Sequence, residues 1–272
     1  MDLGTGLTVL GSAPLVQKIL GPTADYLGAG LKDWTERGAK NVNRVFEKAT
    51  HRLGDKINTP GAVPPKVLKG ILAEGQFCDD ELSAEYFGGV LASSRTSVGR
   101  DDRGAAFIAL IGRLSSYQIR SHYFFYSMIR LLYEGSTETI SMPEGRQNLK
   151  TFIPLVAYAT AMEFSGGENA ELITSHVMFG LSREDLIEGM FMFGSPGTLR
   201  SSYPQADTNG ILFAPSALGA ELFLWAHGRG DVRIAEFLHP DTDLRSEINI
   251  NTAPGSRSVL FPERNHLRPS AS

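Results

Sequence analysis

Two charged groupings in this sequence have the residue types and the spacing for chemistry. Asp79, Asp80, Glu81 and Glu85 lie close together in the chain. Paired carboxylates can hold a divalent ion or work as acid and base, so Asp79, Asp80 and Glu85 are the candidate ligands of a metal-dependent nuclease. Arg37, Lys40, Arg44, Lys48 and Arg52 recur at steps of three and four, which lines them along one helix face. Such a stripe can grip the phosphates of a nucleic acid or an anionic surface. Both groupings also have a plainer reading. Acids in the first turn of a helix are favoured by its dipole, and a run of charges is mostly the solvated face of a docked helix. The plainer reading is preferred for each, since Asp33, Glu36, Glu47 and Asp55 partly offset the basic stripe.

The other reactive residue types form no catalytic pattern. Cys78 is the single cysteine, so the chain can form no internal disulfide and no thiolate cluster for zinc. With no basic residue or histidine beside it, Cys78 reads as an inert buried thiol. A lone cysteine suits a reducing compartment, and the cytoplasm is the expected location. His51, His122, His176, His227, His239 and His266 show no metal-binding spacing, and no serine sits in a G-x-S-x-G elbow. The pairs Gly88-Gly89 and Gly166-Gly167, and Gly4-Thr-Gly6, lack the context of a phosphate loop. No catalytic residue, metal or cofactor is therefore assigned, and a non-enzyme is expected. The formal net charge of −4 leaves nucleic-acid binding to a local patch. The apolar start is broken by Gly4, Gly6, Gly11 and Pro14, so no leader is expected, and no run is apolar enough for a spanning helix.

The elements that must position these residues are helices. After a glycine-rich segment at 1–20, Leu27, Leu31, Trp34, Val42, Val45, Phe46, Ala49 and Leu53 mark one buried helix face. The stretch 58–65 is a proline-rich linker whose Pro64 and Pro65 open the next helix, buried through Val67, Leu68, Ile71 and Leu72. Asp79 or Asp80 caps a helix over Glu81–Ser94, with Leu82, Tyr86, Val90 and Leu91 facing inward. The charged loop that follows carries Arg95, Arg100, Asp101, Asp102 and Arg103, the candidate contacts to a protein partner. Helices are predicted over Ala105–Leu114, and from the Ser115–Gln118 capping box onward. The second of these is apolar on so many sides, from Tyr123 to Leu132, that it belongs inside the protein. A further helix is predicted over Asn148–Phe164, opened or kinked by Pro154.

The last third reads as helix, helix, hairpin, helix. The helices fall at Ala170–Phe179, stopped by Gly180, and at Arg183–Phe193. The hairpin joins Thr198–Tyr203 to Gly210–Phe213 across Asn209-Gly210, and Ser216–His227 closes the unit. That order resembles a winged helix, yet Arg183 beside Glu184, Asp185 and Glu188 is no basic recognition helix. Residues 240–272 lack periodic apolar positions and are expected outside the core. The predicted fold is mostly α: an N-terminal segment at 1–20, a multi-helix core at 21–165, a small winged-helix-like α+β unit at 168–230, and a tail at 231–272. At least half the chain should be helix, with one short hairpin near 198–213.

One family resemblance accompanies this reading. The order Leu20-Gly-Pro22, long amphipathic helix, Pro64-Pro-Lys66, Ile71-Leu72, Asp79-Asp-Glu-Leu82, Tyr86-Phe-Gly-Gly-Val-Leu-Ala-Ser-Ser94, Phe107, Leu110 and Leu114-Ser115 resembles the Abi-alpha (abortive infection alpha) family of bacterial proteins. The similarity runs over about residues 18–230 and consists of packing patterns. It implies a role in antiphage defence through contacts with a protein partner of the same system, and it carries over no active site. A winged-helix nucleic-acid binder is the alternative and the nuclease above a third reading. A homo-oligomer is compatible with all three.

Overall fold

The structure is a computed structural model that describes residues 13–22, 36–244, 248, 250 and 255–259. Helices account for 57% of these residues, as expected for a mostly α chain, and a four-stranded antiparallel sheet accompanies them. No described helix is long and apolar enough to cross a membrane. The expected helical positions Leu27, Leu31 and Trp34 lie outside the described residues. The chain forms two compact units, Met1–Ser116 with Leu224–Asp231, and Tyr117–Phe223 with Val232–Ser272.

The first unit is helical. Helix α1 (Ala13–Leu20) buries Val16, Ile19 and Leu20, and α2 (Glu36–Leu53) buries Val42, Val45, Phe46, Ala49 and Leu53, the face its periodicity predicts. Pro65 occupies the first position of α3 (Pro65–Glu74), where a missing N–H costs nothing. Asp80 caps α4 (Glu81–Ser93) by accepting from Ser83 N at 2.8 Å. Every residue of α4 from Leu82 to Ala92 is buried, a wider burial than its apolar spacing predicts. Two glycines allow it. A Cβ on Gly88 would lie 2.5 Å from the Lys48 Cβ, and one on Gly89 only 1.8 Å from the carbonyl oxygen of Ala226. Helix α5 (Gly104–Ile111) follows, with Phe107 packed on Trp225 at 5.0 Å between ring centroids.

In the second unit α6 (Ser116–Tyr133) buries residues on nearly all sides, from Gln118 to Tyr133. The order then runs α7 (Pro143–Asn148), β1 (Thr151–Pro154), α8 (Leu155–Met162), α9 (Ala170–Arg183), β2 (Met192–Gly194), α10 (Pro196–Leu199), β3 (Gly210–Phe213), α11 (Ala217–Ala226) and β4 (Arg257–Ser258). The strands lie in the order β2-β3-β1-β4. Phe152 and Met192 both pair with Leu212, and these three share one face with Leu199, Tyr203 and Ala206 above them. The alternate residues Ile153, Ile211 and Phe193 share the other face. Phe213, from the same strand, stacks on Phe125 of α6 at 4.3 Å.

Four expectations for this half are corrected. The helix predicted from Asn148 begins only at Leu155, because Thr151-Phe-Ile forms a strand and Pro154 ends it. Gly180 does not stop α9. It is buried where a Cβ would sit 1.8 Å from the Gln118 amide nitrogen, so it serves close approach. The second helix, Arg183–Phe193, does not form. Asp185 adopts φ 56°, its N–H bonds Ser182 O and the Leu186 N–H bonds Leu181 O, a complete Schellman stop. The predicted hairpin is half right: β3 is a strand, but Pro196 starts a helical turn at 198, and the true neighbours of β3 are β2 and β1.

The tail correction has the same cause. β4 pairs with β1, Ser258, Ile250 and Thr242 are buried, and Arg130 donates to the carbonyls of Phe237, His239 and Thr242. These bonds are made by backbone, which apolar periodicity does not register.

Candidate functional site

The basic stripe and the acidic cluster form one structure. Along α2, Arg37, Arg44, Lys48 and Arg52 face the start of α4, and each of these four meets an acid. Arg37 donates to both oxygens of Asp79 (3.1 and 2.8 Å), and Asn41 adds a third bond at 3.0 Å. Arg44 donates to the Asp79 carbonyl and lies 3.9 Å from Glu81. Lys48 bridges Glu81 and Glu85, and Arg52 reaches the other Glu85 oxygen at 3.1 Å. Lys40 is exposed to solvent.

The electrostatics follow from this pairing. Bonds from Asn41 and Arg37 hold the Asp79 carboxyl below the usual carboxylate range. Burial pulls the Lys48 ammonium down, but Glu81 and Glu85 outweigh it and the net shift is upward. Glu85, its side chain 4% exposed, is a buried carboxylate between two cations. The three proposed metal ligands thus serve three purposes: Asp79 answers Arg37, Asp80 caps α4, and Glu85 answers Lys48 and Arg52. No group of three or more His, Cys, Asp or Glu suited to a metal ion occurs among the described residues. The Cys78 thiol, pushed up to about 12 by burial and by Asp80, is protonated at neutral pH and hence a poor nucleophile.

The loop 95–103 divides into anchors and a tip. Arg95 donates to the carbonyls of Lys18 (3.0 Å), Lys56 (3.0 Å) and Thr59 (2.5 Å), so it is a clasp for the preceding turn. Thr96 exchanges backbone bonds with Ala62. At the other end Arg103 grips Asp101 and lies 5.3 Å over the Trp225 ring, while Asp102 pairs with Lys66. Between these anchors Val98 is 68% exposed and Arg100 projects beside it.

The chain matches no family model, no curated protein and no solved structure.

Burial reshapes His122. It donates from Nε2 to Gly219 O at 3.0 Å, and burial lowers its pKa to about 3. Since an unfolded imidazole titrates near 6.5, protons bind the unfolded chain but not the folded one between those values. Stability is therefore full above pH 6.5 and falls as pH drops toward 3. Denaturation in urea at pH 7 and pH 5 should show the wild type losing about 2 kcal/mol more than His122→Gln. Equal losses in the two proteins would contradict this. His51 and His176 lie on or near the surface, and His239 is 3.7 Å from Asp241. His266 lies outside the described residues.

A further surface was missed from the sequence. Phe179 of α9 meets Phe191 and Phe193 beside β2, with Met190 exposed next to them. The run Met190-Phe-Met-Phe193 was the available signal, and it was absorbed into a helix that does not form.

Proposed function

We propose that this chain is a non-enzymatic component of a bacterial antiphage system, in the manner of the Abi-alpha proteins it resembles, and that it acts by protein contacts. The observation that carries this reading is the loop 95–103. It is fixed at both ends by Arg95 and Arg103, and it turns Val98 and Arg100 outward. A rigid loop with an apolar tip and a charge beside it suits recognition, because little entropy is lost on binding. The winged-helix alternative finds less support, since the segment meant to read DNA is a turn and an edge strand, and the basic stripe is largely occupied by Asp79, Glu81 and Glu85.

The test is phage restriction in cells that express the chain with its native neighbours. Val98→Glu with Arg100→Glu should abolish protection while leaving the melting temperature unchanged. Asp79→Asn with Asp80→Asn should fold and still protect, as asparagine keeps the cap. Loss of protection in the asparagine pair, with divalent-dependent cleavage of nucleic acid by the wild type, would make the chain a nuclease instead.

A further inference from the structure

Strand β2 is an edge of the sheet, with no strand on its outer side among the described residues. Phe191 and Phe193 stack there at 6.3 Å, and Phe179 meets them edge-on at 5.3 and 6.4 Å. Phe179 is 62% exposed, Leu172 two turns back on the same helix face is 67% exposed, and Met190 is 82% exposed. Monomeric proteins blunt such edges with lysine or an inward-pointing charge. Met192-Phe193-Gly194 carries neither.

We propose that this edge is where two copies of the chain pair, β2 against the partner's β2, antiparallel about a twofold axis. The area agrees with one protomer's share of a dimer. Leu172, Phe179 and Met190 leave about 400 Å² of surface open, given roughly 150–250 Å² for each large side chain. A standard interface takes about 800 Å² from each partner, of which about 450 Å² is apolar. The partly open Phe191 and Phe193 supply the rest. An antiparallel strand pair has the symmetry of a twofold axis, so one strand satisfies its own copy without a second kind of surface. Phe191 and Phe193 then fall on one face of the joined sheet, beside their copies. This inference is independent of the antiphage reading, because self-association holds or fails whatever the chain's target.

The purified full chain at about 50 µM should show twice the mass of one chain by light scattering, with dissociation on dilution. Phe179→Glu with Met190→Glu places charge on exposed positions, so folding should survive, and the near-ultraviolet dichroism and melting curve are the check on that. Self-association should weaken at least about 100-fold, because charged side chains would have to be desolvated in the pair. Val98→Glu, on the other unit, should leave the dimer intact. A wild type that stays monomeric at about 100 µM would overturn the proposal. So would a dimer indifferent to the two glutamates, or a monomer that takes up an extended apolar peptide at this edge.

Discussion

Gly89→Ala is expected to destabilise the first unit sharply. In an exposed helix the change would stabilise by about 1 kcal/mol, since glycine is the poorer helix former. Here the new methyl group would lie 1.8 Å from the Ala226 carbonyl oxygen and 2.2 Å from its carbon, a collision with backbone that no rotamer relieves. Overpacking of this kind costs about 3 kcal/mol or more, so the clash outweighs the propensity gain. The melting temperature should drop by about 10 °C. Gly166→Ala is the control, because a Cβ there meets nothing within 4 Å. A Gly89→Ala protein as stable as the control would show that α4 can move away from Ala226.

Glu85→Ala should be nearly as damaging. It removes a carboxylate that sits between Lys48 at 2.9 Å and Arg52 at 3.1 Å and leaves two largely buried cations without it. Breaking a buried pair from one side costs about 3–5 kcal/mol, whereas an exposed pair is worth under about 1 kcal/mol. Glu81→Ala, on the exposed part of the same ladder, should therefore cost far less. Urea denaturation of the two variants separates these magnitudes. Glu85→Met with Lys48→Met and Arg52→Met should recover much of the loss, because the buried triad is replaced by apolar groups of similar size. Equal, small effects at Glu81 and Glu85 would mean that water reaches both.

Helices with strong local signals were legible in the chain. Val42, Val45, Phe46, Ala49 and Leu53 sit on one face of α2, Pro65 opens α3 and Asp80 caps α4, each for a reason contained in a few neighbouring residues. The sheet was not legible, because strands of two to four residues are too short to show alternation. β3 stood out through Asn209-Gly210, yet its partners come from residues 151–154 and 192–194, and nothing local announces either pairing. The charged groupings were visible but not their relation. Arg37 and Asp79 are separated by 42 residues, so one looked like a phosphate grip and the other like a metal site. Gly88-Gly89 could be set aside as a phosphate loop for lack of context, but its use, to let two backbones approach α4, could not be read. The loop 95–103 reads from sequence as a candidate contact region, but Arg95 could not be recognised as a clasp without the positions of Lys18, Lys56 and Thr59 around it.

The first unit takes residues Leu224–Asp231 into itself, and this sets an order for the birth of the protein. Ser93 bonds the carbonyl of Trp225 at 3.0 Å and the amide of Gly230 at 3.1 Å, partners 132 and 137 residues downstream. While the ribosome is still making the second unit, the flank of α4 at Gly89 has nothing to lie against, and Phe107 waits for its tryptophan. The amino-terminal unit is thus completed after most of the carboxy-terminal one has been synthesised, against the usual sequence of domains along a nascent chain. A messenger truncated between residues 116 and 224 yields a first unit without Leu224–Asp231, with Phe107 and the flank of α4 at Gly89 uncovered, apolar surface of the kind that chaperones and proteases recognise.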